Sequence, residues 1–309
     1  MVARISKKTT LPDPDSREVR LFAKLHDALP RFRQKPWRRV LKNETFIAVA
    51  QAIYAGKNTA IDLDHTLYQT DATYALIHLG KFLDIFKGDH TAHFQKSYQQ
   101  YYFPNQKRSK IKDYQAERDF YRSLVQLFTG LKFTKTQQLA KQLWFTGFPE
   151  FAFPEPLFSL LYPEMAYLVA LGMEGEGQGK HFSFITASPN FAISPLVDFF
   201  GLPPNNLASF DPIVRNNIIT RDIERMTFGK GKVVAARKIF DGLHDIAIGD
   251  SPTNDWELLR QAKLFAMGVG DRMRALDGTP LARNRHLRYV PFLAATKNKK
   301  LFAAPPSNL

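Results

Sequence analysis

The sequence predicts an α/β protein, a Rossmann-like parallel sheet carrying an inserted helical domain, and three observations predict it. Short apolar runs recur at TAIDLD (59–64), HFSFIT (181–186), LASFD (207–211), HDIAIGD (244–250) and KLFAMGV (263–269). Segments of helical spacing separate most of them, and strands alternating with helices build a parallel sheet because each crossover must return over a face. Between the first two runs, polar and aromatic stretches of helical period, such as YQAERDFYRSLVQLF, take the place of strands. The expected division is a helical extension over 1–57, an α/β core over 58–74 and 163–290, a helical insertion over 75–162 and a tail over 291–309.

Taken in order, Ser16 to Leu29 places Leu21, Phe22, Leu25 and Leu29 on one helical face, with Asp15 or Ser16 as its cap. The next stretch, RFRQKPWRRVLK, sets Arg31, Arg33, Lys35, Arg38, Arg39 and Lys42 around Phe32 and Trp37. It reads as a solvated connector, with electrostatic docking of residues 31–42 onto an anionic surface as the alternative. A second helix runs from Glu44 to Ala55 and ends at Gly56, ahead of the first strand. Within the insertion, Phe120, Tyr121 and Phe128 are expected to pack the bundle rather than touch substrate. Arg118 and Arg122 read as surface salt-bridge partners, with substrate anchoring as the other reading. From Lys297 onward the chain reads as a mobile end.

Composition narrows the chemistry. There is no cysteine, which removes disulfides, thiol nucleophiles and thiolate metal sites, so any metal must be held by oxygen or imidazole. A formal charge of +14 favours anionic partners. Nucleic acid is disfavoured among them, because no helix-turn-helix, ribonucleoprotein or zinc signature is present. The basic start MVARISKKTT lacks the apolar stretch of a secretory signal, and no window reaches a membrane span. The expectation is a soluble cytoplasmic protein, with export by a route that leaves no amino-terminal signal still open.

Asp62 and Asp64 stand two apart at the end of an apolar strand, an unfavourable place for carboxylates unless a cation neutralises them. Asp250 ends the apolar run DIAIGD, and Asp255 follows in SPTND. Oxygen ligands of this kind suit magnesium, although each acid taken singly could equally start a turn or cap a helix. The set, rather than any member, carries the signal.

Four short motifs in order then resemble the haloacid dehalogenase superfamily of phosphohydrolases, in the branch that includes phosphoserine phosphatase and phosphocholine phosphatase. IDLDHTL looks like its DxDxT motif, FITASP like its apolar strand ending in Ser or Thr, FGKGK like its lysine motif and IGDSPTND like its closing acidic motif. The gaps agree, with 120 positions from Thr66 to Thr186, 46 from there to Lys232 and 18 more to Asp250. The long first gap is where that branch inserts its helical cap. The likeness spans about residues 58–275.

The resemblance implies a magnesium-dependent phosphatase that works through a phospho-aspartyl intermediate. Asp62 would be the nucleophile and Asp64 the acid and base, with Thr66 holding the loop and Thr186 and Lys232 binding phosphoryl oxygens. Lys230 competes with Lys232, which is preferred because it opens the following helix. The implied metal ligands are Asp62, the backbone carbonyl of Asp64, and Asp250, with Asn254 or Asp255 orienting the coordination shell from behind. The closing motif departs from the branch by placing Asp255 five positions after Asp250 rather than four. Asp71 and Ser188 are the implied substrate contacts, with a plain turn or cap role open for Asp71. His65 is expected to turn toward a neighbouring loop. An acid at position 64 favours phosphate esters over carbon-halogen bonds. A small phosphometabolite is the favoured substrate, with a phosphoprotein carrying phosphotyrosine as the alternative. A third reading, a non-enzymatic protein that binds through its basic surface, is opposed by the complete set of acids and lysine.

Overall fold

The computed structural model describes residues 11–14, 17–33, 35–86, 88–102, 114–148, 150, 155–270, 273, 287–290, 306 and 309. Its centre is a six-stranded parallel sheet: β1 (Thr59–Ile61), β2 (Phe182–Ile185), β3 (Leu207–Ala208), β6 (Ile246–Gly249), β7 (Phe265–Val269) and β8 (Leu287–Val290), in the order β3-β2-β1-β6-β7-β8. The α/β expectation therefore holds, and β8 is a strand that the sequence reading did not foresee.

Period-two alternation sends the strand residues to two different cores. Ile61, Phe182, Phe184, Ile246, Ile248 and Met267 join the larger one. Ala60, Ile185, Ala247 and Ala266 face the smaller, with Leu258, Leu259 and Ala236. The small alanines let α9 (Lys230–Phe240) and α10 (Trp256–Arg260) sit close to the sheet. The bulky face is covered by α7 (Pro163–Glu174), in which residues 163–172 are all buried, and by α2 (Glu44–Tyr54). Asn43 caps α2 by accepting from the Phe46 N–H, and Gly56, at φ +73°, turns the chain out of it toward β1.

The amino-terminal segment is part of the larger core. In α1 (Arg20–Ala28), Leu21, Phe22 and Leu25 are buried as the helical face requires, and Leu29 follows them. The suggested caps, Asp15 and Ser16, lie outside the described residues; the Leu21 N–H is instead received by Glu174 Oε1 at 2.9 Å. Residues 30–33 and 35–42 form 3₁₀ turns. Here the solvated-connector expectation is corrected, because Phe32, Trp37 and Val40 are fully buried. Phe22, Trp37 and Tyr167 pack ring against ring at 5.2–6.3 Å, and the Trp37 indole donates to the Phe32 carbonyl. Alternation of apolar and basic residues lets Arg33, Arg39 and Lys42 stay in solvent while their neighbours enter the core.

Between β1 and α7 lie α3 (Ala72–Phe82), α4 (Asp89–Tyr102), α5 (Tyr114–Gln126) and α6 (Phe133–Phe145). Phe120 and Phe128 are buried there, and Phe120 stacks on Tyr101 at 4.6 Å. A second, antiparallel sheet of β4 (Asp211–Arg215) and β5 (Ile218–Arg225) packs against α5, and α8 (Asn190–Phe200) packs against α6. The reading of LASFD as one strand is corrected: β3 stops at Ala208 and Asp211 opens this hairpin. The expected mobile tail lies outside the described residues, apart from Pro306 and Leu309. No helix among the described residues is long and apolar enough to cross a membrane.

Candidate active site

The chain runs outward from β1 on both sides of the sheet, so the carboxyl ends of β2, β1 and β6 are neighbours and the reversal of strand order falls between β1 and β6. Ligands of such sheets bind in the crevice beyond that point. Asp62 follows β1, Thr186 follows β2 and Asp250 follows β6. Three loops distant in sequence thus meet because their strands are adjacent.

Lys232 is fully buried and joins two of the acids, with its Nζ 2.5 Å from Asp62 Oδ1 and 2.6 Å from Asp255 Oδ1. Lys230, two residues earlier, is exposed. The first turn of α9 selects between them because Gly231 lies against the Met226 carbonyl, where a Cβ would come within 2.0 Å. Asp62, Asp250 and Asp255 are all buried and offer oxygens within 4.8 Å of one another. Asp255 Oδ2 accepts the backbone N–H groups of Asp250 and Ser251 at 3.0 and 2.9 Å. Its approach requires Gly249, because a Cβ there would stand 2.7 Å from the Asp255 carboxylate.

This charge arrangement is unbalanced. Burial pushes the Asp62 carboxyl well above its ordinary range, repulsion from Asp255, Asp250 and Asp64 adds to the shift, and Lys232 opposes it. Lys232 is driven upward, since Asp255 and Asp62 outweigh the burial that would otherwise discharge it. Three carboxylates facing one ammonium form a hard, oxygen-only set of the kind that suits a divalent cation such as magnesium.

Asp64 turns away from this group. Its Oδ1 accepts from the Tyr68 hydroxyl at 2.5 Å and the Ala72 N–H at 2.8 Å; its Oδ2 accepts from Ser188 at 2.7 Å and Thr186 at 3.3 Å. Ser188 spends its one hydroxyl proton on Asp64, so Thr73, 2.6 Å away, donates to Ser188. Burial and the neighbouring Asp64 hold the Tyr68 hydroxyl protonated by raising its pKa. Thr66 donates to Asp62 Oδ2 at 3.2 Å. Asp71 caps α3 by accepting from the Tyr74 N–H, and burial and Asp64 raise its carboxyl. Asn254 Oδ1 accepts the Gly229 N–H, which ties the acidic loop to the lysine loop. His65 adopts a left-handed backbone at φ +58° in the turn after Asp64.

Residues that the motifs did not nominate also line this region. Tyr68, four after Asp64, falls within the first motif's own turn and was visible there. Glu117 was not: it reaches from α5 to accept from Thr253 in the acidic loop and from Tyr101, both at 3.2 Å. With the packing of Tyr121 on Phe228 at 5.0 Å, this brings α5 down onto the lysine and acidic loops. Arg118 rests its Nε on the Met226 sulfur, and among the described residues neither Arg118 nor Arg122 pairs with a carboxylate, which corrects the surface salt-bridge reading.

No curated protein matches the chain in sequence. Among solved structures, a conserved functionally unknown protein from Anaerococcus prevotii DSM 20548 is 12% identical over 82% of this chain and 95% of its own, with a TM-score of 0.53. Cytosolic 5'-nucleotidase IIIB, bound to cytidine, is 13% identical over 86% and 92%, with a TM-score of 0.50. A phosphoserine phosphohydrolase-like protein from Francisella tularensis is 15% identical over 75% and 94%, with a TM-score of 0.45. In sequence, residues 59–260 match the haloacid dehalogenase-like hydrolases. That match begins at β1 and ends with α10, taking in every strand end that bears an acid of the cluster, and the chain belongs to that family.

Proposed function

We propose that this hydrolase is a magnesium-dependent phosphatase that cleaves phosphate monoesters of small metabolites through a phosphorylated Asp62. The observation that carries the proposal is the buried cluster, in which Asp62 lies 2.5 Å from Lys232 and within 4.8 Å of Asp250 and Asp255. The side chains of Asp62 and Asp250 and the backbone carbonyl of Asp64 would hold magnesium. When bound, the ion supplies charge neutralisation for the transferring phosphoryl group. Asp255, whose oxygens are engaged by Lys232 and two backbone N–H groups, serves to orient this set.

The chain's own groups then account for the reaction. An Asp62 oxygen attacks phosphorus as the bond to the leaving oxygen breaks, and Asp64 delivers the proton that the leaving oxygen takes. Water next attacks the phospho-aspartate and gives its proton back to Asp64, releasing inorganic phosphate and restoring Asp62. Lys232 and Thr186 donate to phosphoryl oxygens that gain charge on the way to the transition state. For this, Asp64 must exchange its contacts with Thr186 and Ser188 for substrate. Ser188 is then free to bind phosphate, and Asp71 keeps the α3 end of the loop in place.

A small substrate is supported by the contact of Glu117 with Thr253, which narrows the approach to the acids, and by the cytidine-bound nucleotidase of similar fold. The test is hydrolysis of a panel of phosphate monoesters and phosphopeptides with magnesium, with EDTA, and by Asp62→Asn. Magnesium-dependent turnover of small esters that the substitution abolishes is the expected result. A folded protein that hydrolyses none of them overturns the reading, and a preference for phosphopeptides overturns its substrate class.

A further inference from the structure

Away from the acids, α4, α5 and β5 line an open cavity of about 540 Å³. Three cations from three elements line it: Lys96 on α4, Arg122 on α5 and Arg221 on β5. The carboxylate among the lining residues is Asp119, which accepts from Gln115 one turn back. Among the described residues, none of the three cations is in an ion pair; next to Arg221, Asp222 pairs with Arg215 instead. The side chains of the three cations are exposed, and the backbones of three elements set them around a common hollow. Gln126 on α5 donates to the Arg221 carbonyl at 2.9 Å, and the Gly130 N–H donates to the Ile219 carbonyl, so β5 and α5 keep a set separation.

The shape and chemistry define the ligand class. A hollow of this volume falls in the range of small-molecule sites, roughly 300–1,000 Å³. Two guanidinium groups offer forked donors that match phosphate oxygens, and an ammonium adds a point charge. The field in the cavity is felt by His93, whose pKa is lowered by partial burial and then by Arg221 and Lys96, raised by Asp119, and lowered further by Arg122.

We propose that this cavity is a second anion site, separate from the acid-lysine centre, that binds a small phosphate-bearing molecule with two or more negative charges. Inorganic pyrophosphate is the probe, titrated by calorimetry in EDTA. Without a divalent cation the catalytic cluster is carboxylate-rich and repels anions, so it does not compete. The wild type should bind saturably at one site, and Arg122→Gln/Arg221→Gln should weaken that binding by about tenfold or more. Arg39→Gln/Lys42→Gln removes two exposed cations of the amino-terminal segment and should leave affinity unchanged, which separates a site from general attraction to a basic protein. Should the double variant fail to fold, Lys96→Gln, exposed on α4, tests the same cavity with an expected loss of about threefold. Absence of saturable binding to the wild type, unchanged affinity in the cavity variants, or an equal loss in the control variant would overturn the proposal.

Discussion

Lys232 is enclosed between Asp62 and Asp255 with no exposure of its own, and a charge so placed is kept only by its partners. Removing one member of a buried pair strands the other, at a cost of about 3–5 kcal/mol. Lys232→Met should therefore lower the unfolding free energy by about that amount in urea titration and abolish hydrolysis. Lys230→Met should change stability by less than about 0.5 kcal/mol, because its side chain is in solvent. Both lysines stand in FGKGK, and the expectation that Lys232 opens the helix is corrected, because α9 begins at Lys230; the close approach of Gly231 to Met226 in that first turn accompanies the inward course of Lys232. Asp255 is similar. Its place in SPTND marks it as acidic, but its inward turn depends on the missing side chain of Gly249.

At the scale of elements, two contacts join pieces that propensity alone would leave independent. His244, just ahead of β6, is fully buried and donates from Nε2 to the Leu258 carbonyl of α10, while its Nδ1 has no partner among the described residues. Burial lowers its pKa below the ordinary 6.5. The unfolded chain then binds the proton that the native state refuses, so stability falls as pH drops below about 6.5, by at most about 1.4 kcal/mol per unit. Denaturant midpoints of His244→Gln, which keeps an amide donor for Leu258, should be less sensitive to pH between 7 and 5 than those of the wild type. The second contact is the turn of the β4-β5 hairpin. Asn216 and Asn217 take φ values of +48° and +64°, the geometry of a two-residue turn that suits Asn. Asn217 also receives the Phe133 N–H on its carbonyl and the Thr134 N–H on its side chain, at the start of α6. Asn217→Ala should cost about 1–2 kcal/mol, read from thermal unfolding. The pair of asparagines between Val214-Arg215 and Ile218-Ile219 is a hairpin signal legible in the sequence.

Across the whole molecule, the amino-terminal segment acts as a wall of the main core rather than an appendage. Phe22, Phe32 and Trp37 close over Tyr167 on α7, and the Tyr167 hydroxyl donates to the Pro12 carbonyl. Trp37→Ala opens a cavity among the packed rings of Phe22 and Tyr167. It should lower stability by about 3–5 kcal/mol in urea titration, while leaving the acid-lysine geometry intact.

The sequence by itself determined the parallel sheet, the helical insertion and the acids of the cluster. Each of these is written in short spacings: period two in the strands, period 3.6 in the helices, and polar residues set where apolar runs end. Only the tertiary structure decided that the ends of β2, β1 and β6 adjoin, that Glu117 meets Thr253 across 136 residues, that Phe32 and Trp37 leave a basic run for the core, and that Lys96, Arg122 and Arg221 share one hollow. Such contacts arise from how whole elements pack, and the geometry between elements far apart in the chain leaves no periodic trace in the residues that make it.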